Sequence, residues 1–76
     1  MIKIGDKYFS RDSIRYTIDT ITNIIGNVVY YSCYQSHLDN TTPITFAKNT
    51  YESLVKSKHL IKIENEEYIK FLYAKH

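Results

Sequence analysis

Ile24-Ile25-Gly26-Asn27-Val28-Val29-Tyr30-Tyr31-Ser32-Cys33-Tyr34 is the stretch on which the fold turns. Two β-branched and aromatic runs flank a Gly-Asn pair, and both turn residues tolerate the positive φ angles that a tight hairpin demands. The spacing predicts a β-hairpin. Side chains alternate across a strand, so Val29, Tyr31 and Cys33 share one face of the second strand while Val28, Tyr30, Ser32 and Tyr34 share the other. A free cysteine behaves as a small hydrophobe and is rarely exposed. The Cys33 face is therefore expected inward, and Tyr30 and Tyr34 outward.

Working back from the hairpin, Ile14, Tyr16 and Ile18 alternate with Arg15, Thr17 and Asp19, the period of a half-buried strand. Ile21 comes three positions after Ile18 and breaks that phase. Either a β-bulge near Asp19-Thr20 or a bend in the strand accounts for it. Upstream, Ile2 to Ile4 reads as a short strand stopped by the turn pair Gly5-Asp6, with Lys7-Tyr8-Phe9 resuming it. Ser10 to Ser13 is polar and suits a loop.

Working forward, Gln35 to Pro43 is polar, holds the only proline, and reads as a long loop before a short strand at Ile44-Thr45-Phe46. Asn49 and Glu52 have the spacing of a capping-box-like helix start. Tyr51, Leu54 and Val55 then fall at i, i+3 and i+4, one apolar face of a two-turn helix near residues 50–58. A helix this short needs a sheet to pack on. Leu60 to Ile63 and Tyr68 to Tyr73, separated by Glu64-Asn65-Glu66-Glu67, read as a closing C-terminal β-hairpin. Together these elements predict one mainly β domain over residues 1–76, a small sheet curling into a partly open barrel with one short helix.

Seventy-six residues is close to the smallest size at which a domain holds together without staples, so a second domain is not expected. Cys33 is the only cysteine, which removes any intramolecular disulfide or cysteine-built zinc site and fits a reducing cytoplasm. No stretch approaches the length of a membrane span, so neither membrane insertion nor secretion is expected. The net charge of +2 is too mild to imply nucleic acid by itself. Lys56, Lys58, His59 and Lys62 cluster, and Glu64, Glu66 and Glu67 nearly cancel them. Tyrosine is the outlier at eight residues. Half-buried sheet positions use some of these rings, and the same amphipathic ring suits a contact surface.

Gly5-Asp6 with Tyr8, then Tyr16-Thr17-Ile18, Ile21, Val28-Val29-Tyr30-Tyr31 and Phe46 resemble the pattern of small SH3-like β-barrel proteins encoded by bacteriophages and other mobile elements. The resemblance covers residues 5–47. It implies a cytoplasmic accessory protein that binds a host protein as an inhibitor or modulator, the partner being an RNA polymerase subunit, a nuclease or a defence protein.

The residues themselves point to binding and away from catalysis. Cys33 lies within a strand on its apolar side, His37 in the following loop and His59 at a helix end, so no nucleophile and base are expected to meet. Two glycines cannot build a phosphate loop, no ligand spacing marks a metal site, and no cofactor motif is present. Tyr30 and Tyr34 are the expected centre of a protein-binding surface, with Arg11 and Arg15 beside them and Lys56 and Lys58 as rim charges. Nucleic acid is the alternative partner, its bases stacked on the same rings and its phosphates held by the same cations. One consequence is directly measurable: Cys33 should react slowly with a thiol reagent in the native protein and at the ordinary thiol rate once unfolded.

Overall fold

The computed structural model describes residues 1–65. Five antiparallel strands, β1 (Lys7–Arg11), β2 (Tyr16–Ile25), β3 (Val28–Gln35), β4 (Asn40–Ala47) and β5 (Ile61–Ile63), form one sheet in the order β4-β3-β2-β1-β5. Among the described residues a single helix, α1 (Lys48–Lys56), leaves one edge strand and delivers the chain to the other edge. At 52% strand and 14% helix the described chain is mainly β, and the sheet is not closed, as the sequence leads one to expect. Tyr68 to Tyr73, the second arm of the expected closing hairpin, lies outside the described residues.

Gly26-Asn27 makes the hairpin turn between β2 and β3, pairing Ile25 with Val28. Gly26 has φ +58 while Asn27 stays at negative φ, the pattern of a two-residue turn with Gly in its first central position. Asn27 does a second job. Its carbonyl accepts from Lys48 N at 2.9 Å, and its side-chain Oδ1 accepts from Asn49 N at 3.2 Å. These are two of the amide groups a helix N-terminus cannot satisfy internally. The expected capping box at Asn49 is not formed: α1 starts earlier, with Ala47 as its N-cap residue, because the hairpin tip supplies the acceptors.

Register assigns the two faces. Tyr8, Asp19, Cys33 and Thr42 lie in one cross-strand row on the helix side, followed by Ile21 and Tyr31, then Ile24 and Val29. The bulge comes between Ile21 and Asn23, not at Asp19-Thr20. Ile18 and Ile21 sit on opposite faces, so no slip is needed between them. The slip is needed later, to keep both Ile21 and Ile24 under the helix. From α1, Tyr51 is buried while Leu54 and Val55 pack at its margin, against Ile2, Tyr8, Ile21, Val29 and Leu60.

Four local expectations change. Ile2 to Ile4 is not a strand: residues 3–6 form a turn closed by Asp6 N donating to Lys3 O, with Gly5 at φ +96, and Ile2 packs under the helix. β1 runs through Ser10 to Arg11, because the loop is the tighter turn in which Asp12 Oδ1 accepts from Ile14 N and Arg15 N. Ile14 is consequently exposed. The region read as a long loop from Gln35 to Pro43 is a turn at residues 36–39 followed by β4. Pro43 is accommodated because β4 is an edge strand among the described residues, where a missing N–H on the open side costs no ladder bond.

The core under the helix encloses polar groups. Tyr51 packs edge-on against Tyr8, with ring centroids 5.8 Å apart, and tilted against Tyr31 at 5.1 Å. Its hydroxyl donates to Asp19 Oδ2 at 2.7 Å, and Asp19 is only 5% exposed. Asp19 stands on the polar register of the alternation Arg15, Thr17, Asp19, yet it faces the helix. Desolvation holds the Asp19 carboxyl above the ordinary carboxylate range, although hydrogen bonds from Tyr51 and Cys33 pull the other way. Burial first, then the Asp19 charge, pushes the Cys33 thiol up to about 12.

Two outcomes follow. Asn27→Ala removes the side-chain acceptor at the helix start and should lower stability by about 1 kcal/mol, read from the urea midpoint. A carboxyl raised in the folded state keeps its proton while the unfolded chain releases it, so its contribution to stability falls as pH rises from the unfolded pKa of about 4 through the folded value. Asp19→Asn keeps an acceptor for Tyr51 and removes that titration. The stability difference between Asp19→Asn and wild type should therefore shift in favour of the variant from pH 4 upward; a constant difference would contradict the raised carboxyl.

Candidate binding surface opposite the helix

The face turned away from α1 carries Tyr30 and Tyr34, as expected, and Val29 and Cys33 are buried on the other side. One row across it reads Thr41, Tyr34, Ile18, Phe9, Ile61, and the next reads Pro43, Ser32, Thr20, Lys7, Ile63. Two regions differ in character. At the β1/β5 side, Phe9 and Ile63 are buried and packed with Tyr16, Ile18 and Ile61, a second apolar cluster. At the β3/β4 side, the residues around Tyr30 and Tyr34 are Ser32, Thr41, Pro43 and Thr45, uncharged and small.

Tyr34 is held in place. Its hydroxyl donates to Asp39 Oδ1 at 2.9 Å, and its ring lies tilted on Tyr16 with centroids 6.2 Å apart. Asp39 reaches this position because it takes φ +48 in the 36–39 turn, a conformation that a short polar side chain tolerates. The hydrogen bond to Asp39 raises the Tyr34 phenol above its ordinary value. Tyr16 in turn stacks on Phe9 at 5.6 Å and 24°. A file of rings thus runs Phe9, Tyr16, Tyr34 across three strands. Tyr30 stands four residues along β3 from Tyr34, about 13 Å away on the same face.

The expected cations divide into three groups. Arg11 pairs with Tyr16 and belongs to the ring-bearing face. Arg15 lies in the β1–β2 turn beside it, where its Nε is 2.8 Å from Asp12 Oδ2. Lys56, on α1, lies on the opposite side of the sheet and lines a groove with Ile2, Tyr8 and Lys62. It does not join Tyr30 and Tyr34, because the helix crosses the other face. Lys58, just past the helix, borders a separate pocket with Arg11 and His59. Spacing in the chain could not separate Lys56 from Lys58, since their two-residue offset spans the end of the helix.

Tyr16 and Asp39 are surface-forming residues that the sequence reading did not single out. Tyr16 is visible in the strand alternation with Ile14 and Ile18, but the alternation does not say which neighbours its ring meets. Asp39 carried no signal, because its contact with Tyr34 depends on the turn closing at 36–39. Cys33 lies with Asp19 in the core, and among the described residues no group of three His, Cys, Asp or Glu side chains is arranged to hold a metal ion. No described helix is long and apolar enough to cross a membrane. No family model, curated protein or solved structure matches the chain.

Proposed function

We propose that the chain is a non-catalytic binding module that docks a protein partner on the sheet face bearing Tyr30 and Tyr34. The observation that carries this reading is the composition of that face. Two half-buried tyrosines, one of them fixed by Asp39 and Tyr16, stand among Ser, Thr and Pro with little charge between them. Rigid tyrosines in a setting of small polar residues supply contact area at low entropic cost. A nucleic-acid surface needs a track of cations beside its stacking rings. Among the described residues, the cations on this face are Lys7, whose ammonium is 3.0 Å from Thr20 Oγ1, and Arg11 at one end. Lys56 is on the far side of the sheet. The resemblance over residues 5–47 would make the partner a host protein and the chain its inhibitor or modulator.

Replacing both rings, Tyr30→Ser with Tyr34→Ser, should leave the far-ultraviolet circular dichroism unchanged and weaken capture of the partner from nuclease-treated host lysate. Truncating a central interface aromatic costs about 2 kcal/mol, roughly thirtyfold in affinity. A folded double variant that captures the same partner at wild-type strength removes this face from consideration. Capture that disappears on nuclease treatment, or that collapses with modest salt, identifies nucleic acid instead.

A further inference from the structure

In a capping box the Glu52 carboxyl would reach back to the Asn49 N–H. That amide is instead held by Asn27 Oδ1 at 3.2 Å, which leaves Glu52 without the donor its spacing predicts. The Glu52 side chain is only partly exposed and lines a groove between α1 and the β1/β5 side of the sheet. Its Oε2 lies out of contact with water and has no hydrogen-bond partner among the described residues. A buried acceptor left open is destabilising, so the group that serves it needs to be identified.

The groove has a volume of about 540 Å³, within the range of small-molecule sites. Buried Ile2 and Tyr8 form its floor and Val55 adds an apolar wall. Some of its polar groups are already engaged: Lys62 Nζ is 3.7 Å from Asp6 Oδ1, and the Tyr8 hydroxyl donates to Asp6 Oδ2 at 3.2 Å. Burial first, then Asp6 and last Glu52, pushes the Tyr8 phenol up to about 12, which puts the Glu52 charge near that ring. Glu52 and Lys56 stand at i and i+4 on α1, in the order that closes most readily into an ion pair. Both line the groove, yet among the described residues neither makes an ion pair. An acceptor and a donor one helical turn apart are thus left open above an apolar floor.

We propose that this groove binds a small apolar zwitterion, a free aliphatic amino acid, with its ammonium on Glu52, its carboxylate on Lys56 and its side chain against Ile2 and Val55. The two charged groups of an α-amino acid are one carbon apart, which suits partners whose Cβ atoms are about 5–6 Å apart on a helix. The Glu carboxyl turns about a soft terminal torsion, so Oε2 can meet a donor that enters the groove. A simple amine would bring its charge against Lys56 and Lys62, and a simple acid would set its own against Glu52. A zwitterion avoids both conflicts. The groove lies on the helix side, away from Tyr30 and Tyr34, so the inference does not rest on the protein-binding reading and adds a second site to it.

The test is a titration of the isotope-labelled chain with leucine, with isoamylamine, isocaproate and glycine as comparators that lack the carboxylate, the ammonium and the apolar side chain in turn. Amide shifts at Ile2, Glu52 and Lys56 should saturate with leucine, and each comparator should bind roughly tenfold more weakly or not at all. Glu52→Gln and Lys56→Gln should each weaken leucine roughly tenfold with unchanged far-ultraviolet circular dichroism. Lys48→Gln, the same change in charge on α1 but outside the groove, should not, and Tyr30→Ser with Tyr34→Ser should leave the shifts in place. The comparators act on the wild-type chain, so the result does not depend on how the variants fold. Absence of saturable shifts with leucine, which would leave Glu52 to solvent, would overturn the proposal. So would a comparator that binds as tightly as leucine, or unaltered affinity in both groove variants.

Discussion

The hydrogen bond from the Tyr51 hydroxyl to Asp19 is the constraint around which the rest of the structure is arranged. It joins the only fully buried side chain of the helix to the middle of the central strand β2, at 2.7 Å and out of contact with water. A buried carboxylate is costly unless its oxygens are occupied, and a buried phenol is costly unless its proton is. Each group therefore requires the other. Because hydrogen bonds are directional where apolar packing is not, this pair specifies where the helix lies along the sheet. Tyr8 and Tyr31 then fill the space around the Tyr51 ring, and burial raises both phenols to about 12.

With one helix on one face, the two sides of the sheet acquire different tasks. The helix side holds the main apolar cluster. The opposite side is divided into a buried patch at Phe9 and Ile63 and a more open region around Tyr30 and Tyr34. Among the described residues the β4 edge is the long unpaired edge of the sheet, a liability for association through strand addition. Pro43 stands in the middle of that edge and removes one of the donors an added strand would need. Strand addition at that edge is thereby disfavoured.

The helix ends show how neighbouring elements share labour. At its start α1 has no capping side chain of its own and borrows a carbonyl and an amide oxygen from Asn27 at the β2–β3 turn. At its finish Lys58 adopts a backbone conformation better suited to glycine. The first arrangement ties the hairpin tip to the helix. The second places an ammonium group at the mouth of a pocket, at a cost to stability of about 1 kcal/mol.

Local chemistry alone determined the β-hairpin at Gly26-Asn27, the inward face of Val29 and Cys33, and a short helix with Tyr51, Leu54 and Val55 on its buried face. Each follows from turn residues or periodicity within about ten positions, where few alternative conformations compete. Tyr30 and Tyr34 were legible as outward-facing for the same reason. Tertiary structure decided what those rules could not reach. Asp19 reads as a solvent residue in its own strand and becomes a core residue only because Tyr51, far along the chain, brings a donor to it. Pro43 reads as a loop residue until β4 is known to be an edge. Lys56 and Lys58 look equivalent in sequence, and the helix termination between them sends one to the far side of the sheet and the other to the pocket beside Arg11. For Asp19 and Pro43 the deciding neighbours are distant in sequence, and periodicity carries no information about which distant groups meet.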